Sequence, residues 1–125
     1  DTLLRESDIV SLHVPQTPAT IGMIGQRELS LMRPTAVLIN TARGPVVDSK
    51  ALAAALRSGE IAGAGVDVFE TEPPIAADHP LFSAPNVVAT PHVAFATAES
   101  MVKRAVIVME NIDCYLNGTP RNVIC

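Results

Sequence analysis

The feature that most constrains this chain is the alternation of short aliphatic runs with helical segments, in units of about 25–30 residues. Four runs have the length and composition of buried strands, and they lie at 8–14, 37–40, 63–69 and 87–90. Helical patterns occupy the intervening segments and both ends, at 1–7, 25–32, 48–56 and 97–116. The alternation predicts an α/β fold in which a parallel sheet is flanked by helices.

Two of the helical segments carry further local signals. Asp48 is predicted to cap the helix at 48–56, which the Ser58-Gly59 pair should end. In the last helix, apolar residues recur at i, i+3 and i+4 up to Gly118. This apolar stripe is either core or a contact with a domain outside the chain.

The composition argues against some classes of partner. Apolar residues make up 48% of the chain and aromatic residues only 3%, so the core must be aliphatic, as in buried parallel strands. The formal net charge is −4 and no run of Lys and Arg occurs, whereas nucleic acid and anionic membrane surfaces require concentrated positive charge. We therefore expect neither a nucleic-acid nor a membrane partner.

The cysteines and histidines favour neither a disulfide scaffold nor a metal site. Cys114 and Cys125 lack CxxC spacing, and the three histidines are scattered along the chain. We interpret both cysteines as free thiols in a reducing compartment. Because no signal peptide or membrane-spanning pattern is visible, we expect a cytoplasmic protein.

Three polar residues mark the candidate site, because each lies just after a predicted strand. Arg43 follows the run at 37–40, Glu72 the run at 63–69, and His92 the run at 87–90. The carboxyl ends of parallel strands meet along one crevice, where ligands bind. A guanidinium, a carboxylate and an imidazole are therefore expected to converge on one small site.

These three groups suit the reduction of a 2-oxo acid to a 2-hydroxy acid. Arg43 offers two parallel donors to a substrate carboxylate. The carbonyl oxygen gathers negative charge as a hydride arrives, and His92 can protonate it, because histidine titrates near neutral pH. Glu72 would orient the imidazole and favour its charged form. The hydride must come from a cofactor, because no side chain supplies one.

Several residues keep a plainer interpretation beside the functional one. Glu70 competes with Glu72 for the carboxylate role, although the spacing from Asp67 favours Glu72 and makes Glu70 a surface charge. Asp67 is either a buried polar group with a partner or a cofactor ligand. His13 is interpreted as a packed or capping histidine, and His79 as a solvated loop histidine.

The residues around the candidate site also resemble a known family. Residues 38–48 (LINTARGPVVD), 65–73 (GVDVFETEP) and 90–92 (TPH) are similar to the three signature segments of the D-isomer-specific 2-hydroxyacid dehydrogenases. That family includes phosphoglycerate, glycerate/hydroxypyruvate, D-lactate and formate dehydrogenases. The resemblance extends in order over essentially the whole chain, and it implies a partial Rossmann-like sheet, the second half of a dinucleotide-binding domain.

The resemblance also implies roles for individual residues. Arg43 would bind the substrate carboxylate, His92 would act as the acid/base, and Glu72 would be the carboxylate paired with His92. The cofactor would be NAD, with NADP not excluded, and the substrate a small 2-hydroxy or 2-oxo acid. The residues expected to contact the cofactor are Val14, Pro15, Thr41, Ala42, Arg43, Asp67, His92 and Ala94. No metal is implied.

By the same resemblance, residues 1–125 are part of an NAD-binding domain. The first βαβ unit with its Gly-rich loop and the separate substrate domain would lie outside these residues, so the chain alone is expected to be inactive. The full-length protein would be a homodimer. Many members have Gly where this chain has Ala94, which is followed by Phe95, and the larger side chains are expected to narrow the pocket.

Two other interpretations stay open at this point. The family includes transcriptional corepressors, so a non-catalytic dinucleotide-sensing interaction module of the same fold is the main alternative. A degenerate or truncated product without activity is the other.

Overall fold

The predicted parallel sheet forms, and its four strands are ordered as in the sequence. They are β1 (Ile9–Leu12), β2 (Val37–Asn40), β3 (Gly63–Val66) and β4 (Val87–Ala89). These bounds come from the computed structural model of the chain, which describes residues 1–71 and 74–124. Each neighbouring pair of strands is parallel. The α/β class expected from the sequence is therefore confirmed.

The helices also follow the sequence pattern. They are α1 (Thr2–Glu6), α2 (Gln26–Leu31), α3 (Ser49–Ser58) and α4 (Ala98–Leu116). Two short 3-10 helices, Gly44–Val46 and Pro80–Ser83, were not predicted. Both begin with a proline in their first turn, where the missing N–H is no loss because that N–H has no partner within the helix.

The third strand is shorter than predicted. Val66 lies opposite Asn40 in β2 and opposite Ala89 in β4, and both of those strands end at these residues. Beyond this level single main-chain bonds join the neighbouring segments, from the Asp67 N–H to Asn40 and from the Thr90 N–H to Val66, and the regular strand ends. The apolar run in the sequence is longer than the strand because Val68 is buried without being part of the ladder.

The two end signals predicted for α3 are both present. Asp48 Oδ1 accepts hydrogen bonds from the main-chain N–H groups of Lys50 and Ala51, at 2.9 and 3.0 Å. At the other end, Gly59 has φ +75° and its N–H reaches back to Leu56. The capping role of Asp48 is therefore confirmed, and it fixes where the chain turns after the loop of Arg43.

The chain forms two compact units, Asp1–His92 and Val93–Cys125. The core of the first unit is aliphatic, as the composition required, and its fully buried side chains include Leu29, Leu38 and Leu52. In β1 the side chains alternate, with Val10 and Leu12 buried and the residues between them exposed. The helices between the strands supply the other half of this core.

The second unit contains α4, whose first turn is capped by Thr97 through a 3.1 Å bond from the Ser100 N–H. No residue of α4 is buried, so the interpretation of its apolar stripe as core is contradicted, and the other interpretation, a contact with a domain outside the chain, stays a prediction. Among the described residues the unit holds no other helix or strand for that stripe to pack on. The guanidinium of Arg104 lies 5.2 Å from the centre of the Phe95 ring.

Two further features bear on earlier expectations. None of the helices in the described part of the chain is long and apolar enough to cross a membrane. Cys114 is a free thiol, while Cys125 lies outside the described residues.

Candidate active site

The register of the sheet aligns the residues that precede the predicted site. Asn40, Val66 and Ala89 lie side by side at the carboxyl ends of β2, β3 and β4. Arg43 is three residues beyond Asn40, and His92 is three residues beyond Ala89. Because neighbouring strands are about 4.8 Å apart, the two loops start about 10 Å from each other on the same edge. The register therefore starts the loops of Arg43 and His92 on one edge, while the convergence of their side chains on one small site stays a prediction.

The loop that presents Arg43 is held by the last residue of β2. Asn40 is only 1% exposed. Its Nδ2 donates to the Arg43 carbonyl oxygen at 3.0 Å, and its Oδ1 accepts from the Ala42 N–H at 3.1 Å. These bonds satisfy both ends of a buried amide and at the same time set the path of the chain.

Close backbone packing joins this loop to the segment after β3. A Cβ placed on Gly44 would lie 1.9 Å from the carbonyl carbon and oxygen of Phe69. Only glycine allows this approach, since no real contact is that short. The loop of Arg43 is thus packed directly against the main chain at Phe69, two residues after Asp67.

Five of the predicted cofactor and substrate residues line one open crevice at the ends of β1 and β2. They are Val14, Pro15, Thr41, Ala42 and Arg43, and His13 completes the lining. The Arg43 guanidinium is exposed, and its Nη1 donates to the Ala42 carbonyl oxygen at 2.6 Å. A permanently charged, planar donor in an open crevice suits an anionic ligand group.

Asp67 lies at the end of β3, buried to 4% exposure. Its N–H donates to the Asn40 carbonyl oxygen at 3.0 Å. Its carboxylate Oδ1 accepts a hydrogen bond from the Thr90 hydroxyl. The expectation that Asp67 is a buried polar group with a partner is therefore confirmed. Its other expected role, as a cofactor ligand, stays a prediction.

Asp67 and His92 line the same small pocket. Its other walls are mostly apolar, formed by Val68, Phe69, Thr71, Ile75 and Pro91. His92 is half-buried and has φ +60°, a left-handed conformation that few residues other than glycine adopt. Backbone strain of this kind persists where the surrounding structure enforces it, and it clusters at functional sites. The pocket brings a buried carboxylate and an imidazole together.

Two predicted site residues are not placed in this pocket or crevice. Glu72 lies outside the described residues, so its expected pairing with His92 is not described. Ala94 is exposed and belongs to the second unit, which begins at Val93.

His79 differs from its prediction as a solvated loop histidine. Its side chain is 13% exposed, and its Nε2 lies 3.0 Å from Glu70 Oε2. The ring also packs edge-on against Phe69, with 5.1 Å between ring centres. Glu70 is therefore more than the surface charge expected. Partial burial acts to raise the pKa of Glu70, but hydrogen bonds from Ser49 and His79 outweigh it and lower the pKa.

His13 also differs from its prediction, since it is exposed rather than packed. Its Nε2 lies 2.8 Å from the Ser11 hydroxyl, two residues earlier in the chain. At the end of β1 the chain leaves the sheet, and the side chain points into the open crevice instead of the core.

Sequence reasoning missed four residues that support the site: Asn40, Ser49, His79 and Thr90. For Asn40 and Thr90 a signal existed, because a polar residue that ends an aliphatic run at a predicted ligand-binding edge should have a partner. For Ser49 and His79 no local signal existed. Both contact Glu70, which lies 21 residues after Ser49 and 9 residues before His79 in the sequence.

The described residues contain no group of three or more His, Cys, Asp or Glu side chains arranged to hold a metal ion.

Comparison with known proteins identifies the family of this chain. Residues 1–94 match the family described as D-isomer specific 2-hydroxyacid dehydrogenase, NAD binding domain. The glyoxylate reductase of Thermococcus litoralis is 50% identical over 125 residues, which cover 99% of this chain and 37% of that relative.

Two solved structures are similar in fold. The NAD-complexed D-isomer specific 2-hydroxyacid dehydrogenase of Lactobacillus delbrueckii ssp. bulgaricus has a TM-score of 0.85 at 39% identity, over 99% of this chain and 41% of that one. An acyclic imino acid reductase in complex with NADPH and D-Arg has a TM-score of 0.88 at 40% identity, over 99% and 39%. This chain therefore spans less than half the length of these relatives.

The comparisons bear directly on the sequence predictions. The family resemblance is confirmed, and so is a Rossmann-like architecture. Relatives named as reductases and dehydrogenases, with NAD or NADPH in the solved structures, confirm an oxidoreductase family and a nicotinamide dinucleotide as the class of cofactor.

Proposed function

Because the chain belongs to the D-isomer specific 2-hydroxyacid dehydrogenase family, we propose that its parent protein interconverts a small D-2-hydroxy acid and its 2-oxo acid with NAD(P). The observation that carries the proposal is the register of the sheet, which starts the loops of Arg43 and His92 on the same edge. Residues 1–125 would supply part of the NAD-binding domain. The Gly-rich βαβ unit and the substrate domain would come from the rest of the parent, and the chain alone would be inactive.

The residues at the edge divide the chemistry between them. Arg43 binds the substrate carboxylate through parallel N–H donors and so orients the neighbouring carbonyl. His92 donates a proton to the carbonyl oxygen during reduction and accepts it during oxidation. Glu72 would pair with His92 and orient its imidazole ring. The dinucleotide, when bound, supplies or accepts the hydride.

The described residues fit a nicotinamide dinucleotide. The carboxylate of Asp67 is an acceptor at the small pocket that His92 also lines, and an acceptor there suits the amide N–H donors of nicotinamide. In the neighbouring crevice, Thr41 and Ala42 would lie against the nicotinamide end, and Val14 and Pro15 would form a wall near the adenosine. Ala94 would complete the contacts.

The relatives guide the choice of substrate. Glyoxylate reductase is the name of a relative that is 50% identical, so we propose a 2-oxo acid of two or three carbons. NAD is proposed as the cofactor. NADPH in the imino acid reductase makes the phosphorylated form the competitor to test beside it. We further propose that the parent is a cytoplasmic homodimer without nucleic-acid or membrane partners.

The test is turnover by the complete gene product that contains this chain. Oxidation of NADH and of NADPH is followed with glyoxylate, hydroxypyruvate, pyruvate and phosphohydroxypyruvate, for the wild type and for His92→Gln. Reduction of one acid, with kcat/KM at least about a hundredfold lower in the variant, is the expected result.

Two other results would redirect the proposal. Tight dinucleotide binding without turnover of any acid would favour the dinucleotide-sensing interaction module. Full turnover in His92→Gln would remove His92 from the acid/base role while leaving the family's reaction in place.

A further inference from the structure

Thr90 joins β4 to β3 at the level of the small pocket that Asp67 and His92 line. Its N–H donates to the Val66 carbonyl oxygen at 3.0 Å, which continues the ladder one step beyond β4. Its hydroxyl donates to Asp67 Oδ1. The main-chain N–H of Asp67 is in turn held by the Asn40 carbonyl oxygen. Asp67 is thus held through its main chain by β2 and through its carboxylate by Thr90.

The hydroxyl of Thr90 donates to this carboxylate and so helps to orient it. A carboxylate buried to 4% exposure needs hydrogen-bond donors, because an uncompensated charge in the interior is strongly unfavourable. A threonine side chain is stiff about its first torsion, so its hydroxyl is a donor in a defined place. An ionised carboxylate has about four lone-pair positions, so it can accept from several donors at once.

We infer that Thr90 is a positioning residue for cofactor binding: it holds Asp67 so that the carboxylate accepts a hydrogen bond from the carboxamide N–H of nicotinamide. The inference rests on the proposed function, because it assumes that Asp67 faces the carboxamide. Thr90 acts only through Asp67. A hydrogen bond to a charged acceptor is worth more than one between neutral groups, so loss of its orientation should be measurable as affinity.

A cofactor analogue separates this role from simple support of the fold. In 3-acetylpyridine adenine dinucleotide a methyl ketone replaces the carboxamide, so the N–H donor to Asp67 is missing while the rest of the molecule is kept. The complete gene product and its Thr90→Val, Thr90→Ser and Thr35→Val variants are titrated with NADH and with the reduced analogue. Thr35 is exposed in a turn before β2, which makes it a matched control.

The expected result is a selective loss of affinity. Thr90→Val should bind NADH about tenfold more weakly, as the loss of one oriented, charge-assisted hydrogen bond implies, and should bind the analogue within about twofold of the wild type. Thr90→Ser, which keeps the hydroxyl, should recover most of the NADH affinity. Thr35→Val should change neither dissociation constant.

Two results would overturn the inference while the proposed function stands. Equal weakening of NADH and analogue in Thr90→Val would show that Thr90 only supports the fold, and unchanged NADH affinity would show that Asp67 does not depend on it. If the wild type binds neither NADH nor NADPH, both the inference and the proposed function fail. Thr90→Ser keeps the hydroxyl and loses only a methyl group, so an unfolded Thr90→Val does not prevent the comparison. Weak NADH binding by a folded Thr90→Ser, with the analogue equally weakened, also counts against the inference.

Discussion

The side-chain amide of Asn40 donates to the main-chain oxygen of Arg43 over 3.0 Å, so the last residue of β2 holds the loop that presents the guanidinium. The same side chain accepts from the Ala42 N–H. One buried polar residue therefore closes the turn from both directions. The position of Arg43 depends on Asn40 as well as on its own exposed side chain.

Removing this amide should affect both stability and substrate binding. Asn40→Ala leaves the Ala42 N–H and the Arg43 carbonyl without their partner, and it should lower the free energy of unfolding by about 1–3 kcal/mol. In the complete gene product, KM for the 2-oxo acid should rise more than kcat falls, because the loop of Arg43 becomes loose. Urea unfolding and steady-state kinetics measure the two effects. Asn111→Ala is the control, because the side-chain oxygen of Asn111 accepts from Asn122 within the second unit. A normal KM in Asn40→Ala would contradict this account.

Besides Asn40, the loop that presents Arg43 requires glycine at position 44. A Cβ there would meet the Phe69 main chain at 1.9 Å, and neither backbone segment can move aside easily. Gly44→Ala should therefore destabilise the protein by about 3 kcal/mol or lose the fold. Gly65→Ala is the matched control, since its Cβ would meet only the flexible end of Ile39 at 3.0 Å and should change stability by less than about 1 kcal/mol. Thermal unfolding followed by circular dichroism distinguishes the two, and similar melting temperatures would show that the loop relaxes.

Because of the hydrogen bonds of Glu70, the stability of the protein should depend on pH in the acid range. Despite the opposing effect of burial, Ser49 and His79 hold the pKa of Glu70 below its usual value of 4.5. A depressed carboxyl pKa adds stability above the unfolded pKa, and this stability is lost as the pH falls through the folded pKa.

Glu70→Gln should therefore lower the free energy of unfolding near neutral pH by about 0.5 kcal/mol, a small value because solvent screens a largely exposed carboxylate. The difference from the wild type should disappear once the pH lies well below 4.5. Urea unfolding over a series of pH values measures it. A difference that persists unchanged in acid would mean that Glu70 acts through packing instead of charge.

The cap of α3 can be tested without touching the site. Asp48 accepts from two N–H groups of the first turn, and Asp48→Ala should cost about 1 kcal/mol of stability. Asp48→Asn should recover most of it, because an amide oxygen caps nearly as well. Asp78→Ala, in an exposed loop, is the control and should be nearly neutral. The midpoint of urea unfolding reports the change in stability when the dependence of the unfolding free energy on urea concentration is the same for all variants.

Local features of the chain were predictable because their causes are local. Aliphatic runs located all four strands, since hydrophobic periodicity reports burial directly. Asp48 and Gly59 marked the ends of α3, because a side-chain cap and a left-handed glycine act within one helical turn. The start of the Arg43 and His92 loops on one edge was predictable, because parallel strands place their carboxyl ends together; their roles at a site stay predictions.

Other features depended on which distant segments meet. The early end of β3 at Val66 follows from the ends of its partner strands, which no pattern within β3 reveals. The pairing of His79 with Glu70 depends on the path of the loop between them, so its composition indicated only exposure. The apolar stripe of α4 indicated either core or a contact with a domain outside the chain, and its pattern alone could not decide between them, because burial depends on what lies against the helix.

The sequence by itself thus determined the class of fold, the order of its elements and the chemistry available at the sheet edge. Only the tertiary structure decided the partners of the polar groups there, such as Thr90 for Asp67 and Asn40 for Arg43. The physical reason is range: periodicity and capping act over a few residues, whereas a hydrogen bond between strands depends on their register, which is set by the packing of the whole unit.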